Sequence, residues 1–166
     1  MKRTETRLWM MFAFLSALGV MGCSSDKGEV NPSLAWHRSS GCKSEPKLVK
    51  AKGESAFPWD EELVEYEKKE NSQLYLKHVN AIFNCGTDEV QVSATIDGRN
   101  INIIEQGDDV SANCVCPFDV ECLVNGLTDG IYKIGIYQGS LSNLRYEFVI
   151  EYTSSMTKGT YHLSSE

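Results

Sequence analysis

Apolar and polar residues alternate through much of this chain, between about Glu61 and Tyr152, in short runs separated by Gly, Asn and Asp. The runs are "LYLKHVNAIFNC", "EVQVSATID", "NINIIE", "FDVECLV", "IYKIGIYQ" and "LRYEFVIEY". A period of two is typical of β-strands, because successive side chains point to opposite faces of a sheet. We therefore predict an all-β domain of seven to eight short strands, folded as an antiparallel β-sandwich.

The alternation also assigns faces to individual strands. In the run that ends at Cys85, strict alternation places Leu74, Leu76, His78, Asn80 and Asn84 on one face and Tyr75, Val79, Ala81, Phe83 and Cys85 on the other. In "FDVECLV" it places Phe118, Val120, Cys122 and Val124 inward, with Asp119 and Glu121 outward. No segment beyond the N-terminal apolar run has the 3.6-residue periodicity of an amphipathic helix.

The segment "LTDGIY" resembles a corner of immunoglobulin-like sandwiches, with the pattern Leu-x-x-Gly-x-Tyr. In such a corner the tyrosine hydroxyl bonds back to the backbone where the chain crosses between sheets. Leu127 would then fill the core, Gly130 would take an unusual backbone angle, and Tyr132 would supply the hydroxyl. The alternative is an ordinary Asp-Gly turn beside a half-buried tyrosine. The resemblance implies an immunoglobulin-like fold.

The N-terminus has a basic head followed by an apolar run of thirteen residues, Leu8–Val20. This run is too short to span a bilayer, which takes about 20 residues, and the combination is typical of a secretory signal. Val20-Met21-Gly22-Cys23 then resembles the bacterial lipobox. The resemblance implies cleavage before Cys23, whose thiol would carry diacylglycerol and whose amine would be acylated. A covalent lipid would thus join the protein to the membrane.

Three regions follow from these patterns: a cleaved lipoprotein signal peptide at 1–22, the lipidated cysteine with a flexible tether at 23–56, and the β-sandwich domain at 57–166. The tether carries Gly28, Asn31 and Pro32 and has no apolar periodicity. Cleavage would leave 13 basic against 22 acidic residues, a net charge of −9. This acidity argues against nucleic acid as a partner.

A lipid anchor places the protein in the cell envelope, and we expect the outer membrane, on its periplasmic face or at the cell surface. The stretch "SSDKGE" after Cys23 is similar to acidic stretches that route some Bacteroidetes lipoproteins to the cell surface.

Five cysteines remain once Cys23 is set aside, and disulfides persist outside the cytoplasm. Because five is odd, at least one thiol lacks a partner within the chain. Cys122 lies on the apolar face of its strand, so we predict that it is a buried free thiol. We expect Cys85 to bond one of Cys114 and Cys116, which enter the strand from a Pro-flanked loop, and Cys42 to bond the other. Zinc is disfavoured because a Cys-x-Cys pair is too tight, and a redox pair would need Cys-x-x-Cys.

The ordered series "HVNAIFNC", "INIIE", "CVCPFD" and "LTDGIY" between His78 and Tyr137 resembles a family of small secreted Bacteroidetes lipoproteins of uncharacterised function. The resemblance covers about sixty residues together with the lipobox. Family members often have a second cysteine where this chain has Gly86, which weakens any transfer of disulfide connectivity. The resemblance implies an all-β domain and a lipoprotein address, and it implies no activity.

Recognisable catalytic chemistry is missing from the sequence. No Gly-x-Ser-x-Gly, His-Glu-x-x-His, Walker or dinucleotide motif occurs. His78 is best interpreted as a structural histidine. Asp88-Glu89 and Asp108-Asp109 are best interpreted as solvated turns, because the spaced oxygen ligands of a calcium loop are missing. We therefore expect no catalytic residue, no metal and no cofactor.

Three hypotheses remain. The first is a non-catalytic binding or accessory module with an unknown protein or glycan ligand, since sandwich loops are natural binding surfaces. The second is an envelope protease inhibitor in which the Cys114–Cys116 loop presents Val115 to a protease. The third is an enzyme whose site is invisible in one sequence.

Overall fold

The computed structural model describes residues 31–43, 47–48, 61–108 and 112–163, and these residues form ten β-strands and no helix. The strands are β1 Ser33–Ser39, β2 Lys47–Leu48, β3 Leu63–Lys69, β4 Gln73–Asn84, β5 Gln91–Asp97, β6 Asn100–Gln106, β7 Cys114–Asn125, β8 Gly130–Gln138, β9 Leu144–Tyr152 and β10 Lys158–His162. A helix that could cross a membrane is accordingly not found in these ranges.

The strands form two sheets. The six-stranded sheet has the order β1-β7-β4-β3-β10, with β2 also paired to β7, and the four-stranded sheet has the order β5-β6-β8-β9. The prediction of an all-β fold is confirmed, and the two sheets are consistent with a β-sandwich. The predicted count of seven to eight short strands is too low, and β4 and β7 are long, with twelve residues each.

The prediction of a wholly antiparallel fold is wrong at one pair, because β6 and β8 are parallel. Between them the chain leaves the four-stranded sheet, runs through β7 in the six-stranded sheet, and returns. Because the chain crosses from one sheet to the other and back, β8 runs in the same direction as β6. Alternation within each strand carries no information about the direction of its neighbour.

The first strand lies inside the segment predicted to be a tether. β1 pairs with β7 from Ser33 opposite Asn125 to Ser39 opposite Val120. The sheet therefore begins before the predicted boundary at residue 57. A register shift between Leu34 and Trp36 breaks the alternation, so this short strand has no clear period of two. The signal peptide at 1–22, Cys23 and the rest of the tether, apart from 31–43 and 47–48, lie outside the described residues.

The core lies between the two sheets. The largest fully buried side chains come from both of them, and they include Leu74, Ile101, Phe118, Tyr132, Ile134 and Tyr152. The inward face predicted for β7 is buried, whereas Asp119 and Glu121 are only partly so. Phe83 and Phe118 meet edge to face, with ring centroids 5.9 Å apart.

Strict alternation along β4 is wrong at Asn80. Leu74, Leu76 and His78 are buried, but after Asn80 the buried residues are Ala81 and Phe83. The register with β7 shifts between His78 and Ala81, which is a β-bulge, and Asn80 has a left-handed φ of 61°. Asparagine tolerates that conformation better than most residues, and one extra residue exchanges the two faces of the strand.

The bulge also positions the Asn80 side chain, which forms hydrogen bonds to both Lys43 and Glu61. Its amide donates to the Glu61 carbonyl at 3.1 Å, and its oxygen accepts from Lys43 Nζ at 2.7 Å.

The segment from Leu127 to Tyr132 links the two sheets. Leu127 is buried, and the Tyr132 hydroxyl donates to the Thr128 carbonyl at 3.0 Å and accepts from the Thr128 amide at 3.1 Å. Gly130 has a φ of 151°, and the Arg99 guanidinium occupies the space that a side chain at position 130 would need. Arg99 donates to the Thr128 and Asp129 carbonyls at 2.9 Å each.

Candidate functional site

The disulfide partners all lie in described segments. Cys42 is bonded to Cys116, and Cys85 is bonded to Cys114. The expectation that the chain carries disulfides is therefore confirmed. Both bonds converge on the first residues of β7, so this central strand is covalently tied to the residue that follows β4 and to the segment after β1.

Cys114–Cys116 is not the loop that the sequence suggested. These residues are the beginning of β7, where Val115 pairs with Lys47 of β2 on one side and with Asn84 of β4 on the other. Pro117 does not end the strand because the residues around it remain in register with β4. A protease inhibitor would need Val115 in an exposed loop, so this geometry does not favour the inhibitor hypothesis.

Cys122 is the one cysteine of the described segments without a disulfide, and it is buried. Burial raises the pKa of its thiol, and the negative charge of Glu105 adds to the effect. A thiolate is the nucleophilic form of cysteine, so this thiol is unreactive while the core stays closed.

The most unusual feature of the interior is a chain of ionisable side chains around His78, which we name the His78 cluster: Glu62, His78, Glu105 and Tyr146. His78 Nδ1 lies 2.9 Å from Glu105 Oε2, and His78 Nε2 lies 2.8 Å from Glu62 Oε1. The Tyr146 hydroxyl donates to the other Glu62 oxygen at 2.6 Å. His78 and Glu105 are almost completely buried.

Strand geometry brings these groups together. His78 follows Leu76 on the inward face of β4, and Glu105 follows Ile101 and Ile103 on the inward face of β6. Glu62 lies just before β3 and is fixed there by its carbonyl, which accepts from the Leu163 amide at 3.1 Å. The sequence interpretation identified His78 as structural and did not single out either glutamate. The inward position of Glu105 could have been read from the alternation of "NINIIE".

The cluster carries charge in the interior. Burial alone would lower the pKa of His78, but the charges and hydrogen bonds of Glu105 and Glu62 outweigh burial and raise the pKa to about 9. Burial also works against the Glu62 carboxylate, yet its hydrogen bond and charge interaction with His78 hold the pKa of Glu62 below its usual range. The cluster therefore contains an imidazolium between two carboxylates at neutral pH.

The arrangement suits structural bracing better than catalysis. The two carboxylates bind opposite nitrogens of one ring instead of converging on a common point. In the segments that the structure describes, no three His, Cys, Asp or Glu side chains could hold a metal ion. The cluster borders a small pocket with room for about one water molecule, and Gln138 and Arg145 also line it.

A second polar feature covers the outer face of the six-stranded sheet, and we name it the aromatic–ionic face: Trp36, Arg38, Tyr75, Lys77 and Glu121. Arg38, Glu121 and Lys77 are neighbours across β1, β7 and β4, so their charges alternate in sign. The Arg38 guanidinium donates to Glu121 Oε2 at 2.7 Å, and the Tyr75 hydroxyl donates to the same oxygen at 2.8 Å.

The aromatic rings of this face are neighbours. The centroids of Trp36 and Tyr75 lie 6.3 Å apart, and Trp36 is 39% exposed. Burial works against the Glu121 carboxylate, but the hydrogen bonds from Arg38 and Tyr75 outweigh it and lower the pKa of Glu121. The face therefore presents an aromatic ring beside charged groups that are already held in place.

The acidic turns are close to each other in space. The Asp88 amide donates to Asp108 Oδ2 at 2.8 Å, which joins the turn after β4 to the end of β6. Asp109, which the sequence paired with Asp108, lies outside the described residues.

Comparison of the chain with protein-family models, with curated proteins and with solved structures found no match. The His78 cluster, the aromatic–ionic face and the N-terminal sequence that resembles a lipobox are therefore the features from which a function can be proposed.

Proposed function

We propose that this chain is a lipid-anchored protein of the cell envelope whose β-sandwich serves as a non-catalytic binding or accessory module. The observation that carries the proposal is the lipobox, Val20-Met21-Gly22-Cys23, directly after a basic head and the apolar run Leu8–Val20. The similarity to small secreted Bacteroidetes lipoproteins supports the same address. The anchor holds the protein at the outer membrane, on its periplasmic face or at the cell surface, through lipid on Cys23.

The domain is proposed to be immunoglobulin-like. The backbone hydrogen bonds of the Tyr132 hydroxyl and the burial of Leu127 support a tyrosine corner, because both features belong to that motif. Sandwiches of this class bind partners through loops or exposed sheet faces carried on a rigid scaffold.

The aromatic–ionic face is the proposed binding surface, and its partner is a protein or a glycan. Trp36 supplies apolar contact area, and Arg38 keeps part of its guanidinium turned to solvent, since its side chain is 69% exposed. Glu121 fixes the guanidinium before a partner arrives, so little conformational entropy is lost on binding.

A binding role fits the interior better than catalysis does. The His78 ring lies in the core, both of its nitrogens are engaged by carboxylates, and the nearby Cys122 thiol is kept protonated by burial. A general base needs access to the proton that it removes, whereas the His78 ring and the Cys122 thiol are both buried.

Replacing Cys23 with Ser is expected to abolish lipid attachment and to release the protein from the membrane, because the thioether can form only on sulfur. The measurement is incorporation of radioactive palmitate, with membrane fractionation, in a Gram-negative host that processes lipoproteins. The matched control is Cys122→Ala, which should incorporate label as the natural chain does. Label and membrane association that persist in Cys23→Ser would refute the anchor.

A photo-crosslinking residue placed at position 36 is expected to give adducts in the living envelope, because Trp36 lies in the proposed binding face. The matched control is the same residue at Thr95, which is exposed on β5 in the other sheet. Adducts should form from position 36 and not from position 95. Equal adducts from both positions, or none from position 36, would contradict the proposed surface.

A further inference from the structure

The His78 cluster joins the two sheets at more than one point. His78 belongs to β4 and Glu62 leads into β3, both in the six-stranded sheet. Glu105 belongs to β6 and Tyr146 to β9, both in the four-stranded sheet. The chain of contacts from Glu105 through His78 and Glu62 to Tyr146 therefore crosses between the sheets twice.

The number of protons on His78 decides whether this chain of contacts can exist. A neutral imidazole has one N–H, and only the doubly protonated ring donates from both nitrogens. Both ring nitrogens lie within 2.9 Å of a carboxylate oxygen, one on Glu105 and one on Glu62. A neutral ring would leave one of these carboxylates facing a nitrogen lone pair inside the protein, without the N–H and the positive charge that His78 supplied.

We propose that the His78 cluster is a proton-controlled clasp, which holds the two sheets together while His78 carries both ring protons and lets them separate locally when it loses one.

The other groups that face His78 replace the lost proton only in part. Burial and the hydrogen bond to Glu62 raise the pKa of the Tyr146 hydroxyl, which stays protonated. Burial also raises the pKa of the Cys122 thiol on β7, so this thiol stays neutral. Arg145 on β9 lines the pocket, and its charge favours the Glu62 carboxylate, but its guanidinium donates to Gln138 Oε1 at 2.6 Å and supplies no N–H in place of the one that His78 loses.

The direction of the pH effect follows from the position of His78. Its pKa is about 9 in the closed protein and 6.5 in its ordinary environment. A group whose pKa is raised on closing stabilises the closed form fully below the lower value, and this stabilisation is lost as the pH rises to the higher one. Local opening should therefore become about tenfold more frequent for each pH unit between 6.5 and 9.

Cys122 provides a natural reporter of this opening, because it is a buried thiol whose pKa responds to the charge of Glu105. The experiment uses the full chain with Cys23→Ser, so that Cys122 is the thiol to be labelled by iodoacetamide without reductant. The labelling rate of the chain unfolded in urea, divided by the labelling rate of the folded chain at the same pH, gives a protection factor. This protection factor should fall about tenfold per pH unit from 6.5 to 9.

Three variants in the same background decide the outcome. His78→Gln should make the protection of Cys122 independent of pH over this range. Glu105→Gln should lower the pH at which the loss of protection ends by about one unit or more, since His78 then has one carboxylate fewer, while the pH at which the loss begins stays the same. His162→Gln is the matched control, because its side chain is 60% exposed and pairs with Glu61, outside the cluster, so it should keep the natural profile.

A flat profile in the natural sequence would overturn the clasp. A pH-dependent profile that persists in His78→Gln would also overturn it. Should His78→Gln fail to fold, Glu105→Gln decides alone, and a loss of protection that still extends to the same upper pH in that variant would refute the proposal.

Discussion

His78→Ala is expected to lower the free energy of unfolding by about 3–5 kcal/mol at pH 6, which is the usual cost of removing one partner from a buried ion pair. The variant leaves the Glu105 and Glu62 carboxylates in the core without the imidazolium that compensates them. Urea denaturation at pH 6, where His78 is fully protonated in the folded protein, provides the measurement. A loss of this size would be a large fraction of the stability of a typical domain, about 5–15 kcal/mol.

The comparison that separates charge from packing is a double replacement. His78→Leu combined with Glu105→Leu removes the imidazolium and the more deeply buried carboxylate, fills much of the space, and leaves only the partly exposed Glu62 carboxylate, so it should cost less than His78→Ala alone. His162→Gln should change the stability by less than about 0.5 kcal/mol, as is usual for an exposed pair. If His78→Ala costs no more than His162→Gln, the cluster does not stabilise the protein.

Loss of the Cys42–Cys116 disulfide is expected to cost about 4 kcal/mol in the chain-entropy model. This bond joins residues 74 positions apart, and a longer closed loop restricts the unfolded chain more strongly. It also joins the segment that follows β1 to the central strand β7. The variant is Cys42→Ala with Cys116→Ala, because replacing both partners leaves no new thiol that could bond to Cys122.

The control for the disulfide variant is Cys122→Ala, which removes a buried sulfur without opening a loop. This control should lower the free energy of unfolding by about 1 kcal/mol. Urea denaturation of both variants gives the two values. Equal losses in the two variants would show that the disulfide contributes little beyond the packing of its sulfur atoms.

The alternation of apolar and polar residues could predict most of the strands, but little of how the strands pair with one another. The inward face of β7 was readable because Phe118, Val120 and Val124 occupy alternate positions in a regular strand. The same reasoning failed in β4, where the left-handed Asn80 adds one residue and exchanges the faces. It also missed β1, a short strand whose own bulge removes the period of two.

The candidate site was harder to predict for a physical reason. His78 and Glu105 are 27 residues apart and lie in different sheets, so their contact depends on how the sheets pack. A glutamate on an apolar strand face was still a usable signal, because a buried carboxylate needs a partner. At Val115 the sequence misled, because Cys-x-Cys-Pro suggested a loop. The structure has a strand there, β7, which pairs with both β2 and β4.

Lipid on Cys23 is proposed to hold this β-sandwich in the envelope, and the intact mass of the protein extracted from the membranes of a Gram-negative host tests this proposal. The expected result is a chain that begins at Cys23 and is heavier than residues 23–166 by a diacylglyceryl group and an amide-linked acyl chain. A chain of unmodified mass, or one whose first residue is not Cys23, would contradict the claim.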